Sequence, residues 1–410
     1  MKKVAVIGAG AAGSMAAYFA AKSGADVTIY EKNNIIGRKL RITGKGRCNI
    51  TNASDVEDII SNIYRNGNFM YSALYSFTND SLMAIFEEYG LKLKVERGNR
   101  VFPESDKALD VVLTIEKMLK SAGVKIEFNT KVDSIIVNNG KVEGLQLGNG
   151  RKVQADSVII ATGGVSYPLT GSTGDGYKMA GKLGHNITRL KPALAGLETK
   201  EAPRKEMVGL NLRNIGINLF ENNKKVYEDF GELEFRNYGI DGPTIKSASC
   251  YVEDTEKKSY YVLLDLKPAL SEEKLDLRIQ RDFKKYMNKN FENALKDLLP
   301  KSMMDFVIDL SGIDRYKPVH QVTKEERAKL LSSIKKIRFD ITKIRPIEEA
   351  IVTSGGIEVK EINPSTMESK KVKGLYFAGE VVDIDAYTGG YNLQAAFSMG
   401  YLAGISSSQE

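Results

Sequence analysis

The opening of the chain changes its hydrophobic pattern three times in thirty residues. Lys3–Ile7 (KVAVI) is short, apolar and β-branched, the pattern of a strand buried on both faces. Residues 14–22 are rich in Ala and read as a helix that Gly24 ends. Asp26–Tyr30 (DVTIY) then predicts a second strand. Residues 156–161 (DSVIIA) and 374–377 (GLYF) repeat the buried-strand pattern far along the chain, and residues 393–402 predict a C-terminal helix. Between them the period changes. Residues 208–220, 232–235 and 259–266 alternate apolar and polar positions, which predicts antiparallel strands. Residues 271–311 have apolar positions near helical spacing after Ser271, Glu273 and Lys274, and 323–332 form a short helix after a capping Thr.

These elements predict an α/β chain with a discontinuous, Rossmann-like domain. Residues 1–190 and 346–410 would build it. Residues 191–345 would be an inserted domain, rich in β-structure and carrying a small helical part at about 271–332.

The turn after the first strand is Gly8-Ala9-Gly10-Ala11-Ala12-Gly13. Gly8 permits the tight turn, Gly10 close approach of backbone to a pyrophosphate, and Gly13 close packing of helix on strand. The N–H groups at the start of the helix would face the phosphates. Glu31, at the end of the second strand, is placed to accept hydrogen bonds from ribose hydroxyls, with Lys32 beside it. The strand and helix on either side make this a dinucleotide fingerprint rather than a stray Gly-rich run.

Which dinucleotide is bound depends on the next segment. Gly37-Arg38-Lys39-Leu40 and Thr43-Gly44-Lys45-Gly46-Arg47-Cys48-Asn49 offer backbone donors and cations where a simple NAD domain would begin its next helix. The run GRKLRITGKGRCNITN resembles the hallmark of the BaiN-like flavoproteins, also described as aminoacetone-oxidase-like or NAD(P)/FAD-dependent oxidoreductases. The resemblance continues through Ala161-Thr162-Gly163-Gly164, Tyr167-Pro168, Thr170 to Gly176 (TGSTGDG) and Gly184-His185. Its ATGG…TGDG part is also similar to the fumarate reductase and aspartate oxidase superfamily. Gly239 to Pro243 (GIDGP) resembles the family's GxSGP, with Asp241 where Ser is usual. Residues 352–400 complete the match.

The resemblance implies FAD, non-covalently bound across both ends of the chain. Thr162, Gly163 and Asp175 would lie near the adenine half, with Val132 close by. Gly379, Glu380 and Asp383 would meet the ribityl chain and pyrophosphate. Gly390, Asn392 and Leu393 would open a helix toward the flavin C2 carbonyl, where its N-terminus favours negative charge. The insert would cover the flavin and shape the substrate site.

Composition narrows the picture further. Lys plus Arg is 59 against 52 Asp plus Glu, a net charge of +7 that suits an anionic ligand without selecting one. The two cysteines, Cys48 and Cys250, form no CxxC pair, which argues against a disulfide framework, a structural zinc or a flavin–disulfide reductase; no metal is expected. Lys2 and Lys3 before an apolar run imitate a secretory signal, but Gly8, Gly10 and Gly13 interrupt it. With no apolar run of spanning length, a cytoplasmic protein without membrane contact is expected.

Candidate chemistry is sparse. His185, Tyr387 and Arg345 are candidates for proton transfer or anion binding, against structural readings for each. Cys48 reads as a small residue packing the ring, and His320 as structural or exposed. The leading expectation is an FAD-dependent oxidoreductase acting on a small organic molecule: reduction of an enone such as a bile-acid-like steroid, with NAD(P)H as a transient donor. Alternatives are a small-amine oxidase, a tRNA-modifying flavoprotein, and a flavin-binding sensor without turnover. No stable nucleic-acid partner is expected, since no basic, aromatic-interleaved segment stands out. Oligomeric state stays open.

Overall fold

The computed structural model describes residues 1–409. Its internal contacts define two compact units: Met1–Ala193 together with the chain from Ile347 onward, and Leu194–Pro346.

The first unit is built on a five-stranded parallel sheet. Its order is Leu375–Phe377, Ser157–Ile160, Lys3–Ile7, Asp26–Tyr30 and Lys125–Glu127. Lys3–Ile7 is central, with Val6 opposite Ile159 on one side and Ile29 on the other. Being covered on both faces, these strands are continuous apolar runs rather than alternating ones. The helix Ala11–Lys22 follows the first strand and packs along the C-terminal helix Tyr391–Ser408. Small residues make that approach possible. A Cβ on Gly400 would lie 2.4 Å from the Ala12 carbonyl oxygen, and one on Gly404 2.4 Å from that of Ala16. Neither distance is compatible with a side chain, so the backbones touch.

Three smaller sheets decorate the unit. Val132–Asn138, Lys141–Leu147 and Lys152–Gln154 form an antiparallel meander. Thr51–Asn52, Arg100–Pro103 and Leu93–Glu96 form a second sheet that the sequence pattern did not predict. Lys191–Ala193 pairs antiparallel with Val352–Ser354, where the chain leaves and re-enters the unit.

The second unit is a closed barrel of six antiparallel strands. In order they are Leu197–Thr199, Gly239–Asp241, Lys224–Arg236, Asn211–Glu221, Tyr260–Asp265 and Ile337–Ile344. The alternating pattern predicted antiparallel strands but not closure. Ile337–Ile344 closes the barrel by pairing with both Tyr260–Asp265 and Leu197–Thr199. Leu219, Leu233, Phe235, Val262 and Leu264 are among the residues of its core. The helices Glu272–Lys285, Lys301–Ser311 and Lys324–Lys335 belong to the same unit. The first is capped by the Ser271 side chain and the last by a reciprocal Thr323–Glu326 box, so both starts follow from local sequence. Among the described residues no helix is long and apolar enough to cross a membrane.

The helix packing in the first unit yields a paired prediction. Gly404→Val should destabilise by about 1–3 kcal/mol or more through overpacking. Gly181→Ala, in the helix Asp175–Lys182 with nothing within 4 Å of the new methyl, should stabilise by roughly 0.5–1 kcal/mol. Thermal melts of both variants check the contrast; equal effects would mean the helices do not approach this closely.

Candidate functional site

Each of the three turn glycines answers a different constraint. Gly8 has φ +102°, and a Cβ there would lie 2.6 Å from the Ala161 carbonyl oxygen. A Cβ on Gly13 would lie 2.0 Å from the Gly8 carbonyl oxygen, so strand and helix meet there. Gly10 is unlike both: its φ is −83° and no atom lies within 4 Å of a Cβ placed on it. The fold itself does not require glycine at position 10.

Gly10 faces a cleft of about 1380 Å³, part of it open to solvent. One end is set by Glu31, which is buried and held in place from two sides. The Ala9 N–H donates to its Oε2 at 2.8 Å, and the Asn33 N–H and Nδ2 donate to its Oε1, each at 2.8 Å. Glu31 is thereby fixed under the Gly-rich turn. Lys32 donates to Asp175 Oδ2 at 2.7 Å, in the first turn of Asp175–Lys182. Burial pushes the Asp175 carboxyl up, but the Lys32 hydrogen bond and charge outweigh it and hold it below the ordinary aspartate value.

Further along, Lys39 Nζ donates to Glu380 Oε2 and to Ser166 Oγ, both at 2.7 Å. The other Glu380 oxygen accepts from Ser166 Oγ at 3.0 Å and from the Thr353 N–H at 2.8 Å. A cation and a carboxylate are thus held together on the wall, joining three distant stretches of chain. The far end is the start of Tyr391–Ser408. There the Asn392 side chain accepts from the Ala386 N–H at 2.9 Å and donates to the Ala386 carbonyl at 2.8 Å. The loop of residues 37–52 is tied to both ends. Gly37 N–H donates to the Ala9 carbonyl at 2.8 Å, and Thr51 Oγ1 donates to Gln394 Oε1 at 2.6 Å.

Comparison with known proteins bears on this arrangement. The model of the HI0933-like protein Rossmann domain matches residues 2–406. The chain is 30% identical over 98% of its length to the 3-dehydro-bile acid delta(4,6)-reductase of Clostridium scindens, covering 98% of that protein. It is also 30% identical over 99% of its length to the ribosomal RNA dihydrouridine synthase of Haemophilus influenzae, again covering 98% of it. Among solved structures, the 3-ketosteroid delta1-dehydrogenase of Sterolibacterium denitrificans aligns over 100% of both chains with a TM-score of 0.55 at 14% identity, a likeness of fold. The chain belongs to the HI0933-like family. Its first unit is a Rossmann-like FAD-binding domain, and it is an FAD-dependent oxidoreductase.

The cleft suits the cofactor of this HI0933-like protein. It is long, it is walled by Gly and Ala on the turn side, and Gly10 leaves room that the fold does not need. Seventeen expected cofactor contacts lie on its wall: Gly8, Gly10, Ala11, Ala12, Glu31, Lys32, Arg38, Lys39, Thr43, Val132, Thr162, Gly163, Asp175, Gly379, Glu380, Asn392 and Leu393.

The other seven lie off the wall and shape the chain that forms it. Gly13 packs helix on strand. Gly44 (φ +57°) turns the loop, and a Cβ on Gly390 would strike the Thr51 backbone at 2.3 Å. Arg47, expected among the cofactor contacts, is bound by Glu96 and Asp106 and lies over the Phe102 ring at 4.1 Å. Cys48 is fully buried at φ +59°, and burial pushes its thiol up to about 11, so it is not a thiolate at neutral pH. Asn49 is near it in the same loop, and Asp383 is ion-paired with Arg65.

None of the three candidates for proton transfer or anion binding lines this cleft. His185 is buried edge-on to Phe377, with Nε2 2.8 Å from Ser369 Oγ, and burial pushes its pKa down. It packs against the strand Leu375–Phe377, off the cleft wall. The Tyr387 N–H donates to the Asn62 carbonyl, and its ring lies 6.0 Å from that of Tyr64. Arg345 belongs to the second unit, paired with Glu198 at 2.7 Å and stacked over Tyr238. Sequence reasoning missed Asn33, Ser166 and Thr353, which orient Glu31 and Glu380. Asn33 and Ser166 each sit within three residues of an expected contact, but their partners are set by tertiary structure.

Gly10→Val should leave the fold intact, because the new side chain meets no protein atom, while abolishing FAD uptake. The check is a visible spectrum beside a thermal melt of the apoprotein. A yellow Gly10→Val protein would mean that the pyrophosphate does not pass this turn.

Proposed function

We propose that this HI0933-like protein reduces a carbon–carbon double bond conjugated to a carbonyl, with the uracil ring of ribosomal RNA as its substrate. The observation that carries the redox assignment is the cleft running from Glu31 to the start of Tyr391–Ser408, with open space opposite Gly10. In this reading Glu31 holds the adenosine ribose, the Gly-rich turn and helix start hold the pyrophosphate, and Lys39 with Glu380 orients the middle of FAD. Bound FAD, once reduced, supplies a hydride. The two relatives described above are named for saturating such a bond: the delta(4,6) bonds of a 3-dehydro-bile acid, and the 5,6 bond that distinguishes uridine from dihydrouridine. NAD(P)H is the proposed donor, and since the chain has one dinucleotide fingerprint, it would bind transiently.

The distribution of charge favours RNA. Residues 267–345 carry 19 Lys and Arg against 12 Asp and Glu, an excess of seven; the rest of the chain carries 40 of each. The entire net charge thus falls in the helical stretch of the second unit and the strand that follows it. On Glu272–Lys285 the exposed side chains Lys274, Arg281 and Lys284 share the solvent face with Leu277. Phosphate contacts from such a surface position RNA without reading its sequence. The competing reading, a steroid-like enone, rests on the bile-acid reductase relative.

Two measurements test the proposal. The protein is reduced anaerobically with NADPH and offered unmodified ribosomal RNA or a 3-oxo-4,6-diene steroid; mass spectrometry reads the gain of two hydrogens. Reduction of uridine is expected. Reduction of the steroid alone would transfer the activity to the enone, and reoxidation by neither would sink the reductase reading. Separately, the triple variant Lys274→Gln, Arg281→Gln, Lys284→Gln should weaken RNA binding. It should also reduce the slope of log K against log salt by roughly 2–3, at about 0.7–0.9 for each phosphate no longer neutralised. An unchanged slope would place the RNA elsewhere.

A further inference from the structure

One acid in the first unit is neither paired nor exposed. Asp385 is 1% exposed, and no protein group other than the neighbouring Ser354 hydroxyl reaches either of its carboxylate oxygens. Ser354, also 1% exposed, lies beside it, and its Oγ has no hydrogen-bond partner apart from this carboxyl. Three polar atoms with no partner beyond one another at one buried place are unusual, since a buried polar group left unsatisfied forfeits about 1–3 kcal/mol of solvation. Their surroundings keep them so. The Arg65 N–H donates to the Asp385 carbonyl at 3.0 Å, and the Arg65 guanidinium is taken by Asp383 rather than by Asp385.

The place is next to the cleft. Ile384, immediately before Asp385, lines it, and Ala386, immediately after, is clamped by the cleft residue Asn392. Ser354 ends the strand whose Val352 also lines it. This end of the cleft is the end opposite Glu31, where the reactive ring of the cofactor would lie in the reading above.

Resting on the reductase reading, we propose that Asp385, with Ser354, holds the proton that completes reduction of the substrate double bond. The π bond breaks, one carbon takes the hydride that the reduced cofactor supplies, and the carbon next to the carbonyl takes a proton. That proton leaves the Asp385 O–H for Ser354 Oγ while the Ser354 O–H gives up its own proton toward the substrate carbon, and Asp385 becomes a carboxylate that solvent reprotonates between turnovers. Nicotinamide dinucleotide restores the reduced cofactor. Asp385 is thus a positioning residue, acting through Ser354 Oγ.

The acid is poised for this. Burial pushes its carboxyl up to about 6; Arg65 and Lys191 oppose the rise, Ser354 also lowers it, and Asp383 adds to it. Lys191 faces it from the strand paired with Ser354. Because the folded-state value lies above that of an unfolded Asp, its contribution to stability is complete below about pH 4 and is lost as pH rises through about 6.

The test uses the FAD-loaded full chain and its Asp385→Asn and Asp385→Glu variants. In Asp385→Asn, reoxidation of the prereduced protein by substrate should slow by about 10²–10⁴-fold, the range of general-acid catalysis. Its rate should lose the fall that the unmodified protein shows as pH rises through the titration of Asp385. Asp385→Glu should recover part of both. FAD occupancy, read from the visible flavin band, separates this result from loss of cofactor. Thermal melts from pH 5 to 8 supply a readout independent of turnover: Asp385→Asn should gain on the unmodified protein as pH rises. An Asp385→Asn protein with unchanged reoxidation rate and pH profile overturns the proposal, as does a stability difference that ignores pH. If instead the unmodified protein reduces neither acceptor while its melts show the Asp385 titration, the reductase reading fails and the buried acid stands.

Discussion

The packing of the first helix against the last is the constraint on which the site depends. Ala12 and Ala16 of Ala11–Lys22 present bare backbone, and Gly400 and Gly404 of Tyr391–Ser408 present no side chain to meet it. Helices packed this closely in a fixed register hold the turn at Gly8 to Gly13 and the turn at Gly389 to Asn392 in a fixed relation, at different places along the cleft. More than 370 residues of chain separate them. A cleft that must hold one long ligand by both ends requires that its ends be rigidly related. Burying small residues with little rotamer freedom achieves this at low entropic cost.

Polar groups along the cleft follow the same logic. Glu31 and Glu380 each have their oxygens held by backbone N–H groups and neighbouring side chains, so their charge is oriented before any ligand arrives. Lys39 and Lys32 are paired with carboxylates rather than left in solvent. Preorganised charge of this kind avoids the reorganisation that a mobile side chain would incur on binding. Asp385, beside the cleft rather than on its wall, departs from the pattern, and the departure is informative because the buried carboxylates on the wall are satisfied.

Much of the site was legible in local sequence. The Gly8-Gly10-Gly13 spacing, its flanking strand and helix, and Glu31 at the end of the second strand are properties of about thirty consecutive residues. Cap geometry at Ser271 and Thr323 was legible for the same reason. The barrel was only half legible. Ile337, Phe339 and Ile341 alternate with Arg338 and Asp340, a strand signal in plain view, but closure depends on that strand finding two partners 73 to 147 residues away. The sheet of Thr51–Asn52 with Leu93–Glu96 and Arg100–Pro103 left no signal, since strands of two to four residues are too short to show a period.

Arg47 marks the boundary between the two kinds of information. Its place in a cationic, Gly-rich loop suggests an anionic ligand, yet Glu96 and Asp106 claim the guanidinium. Lys39, in the same loop, does reach the cleft. Residue type sets what a side chain can do, and local spacing sets the turn it leaves from. By itself the sequence therefore determined the dinucleotide fold, its fingerprint and the family. Only the tertiary structure decided which charges meet a ligand and which meet each other, and which carboxylate was left with only a hydroxyl beside it. Those outcomes turn on contacts between segments distant in the chain, where a displacement of a few ångströms exchanges one partner for another.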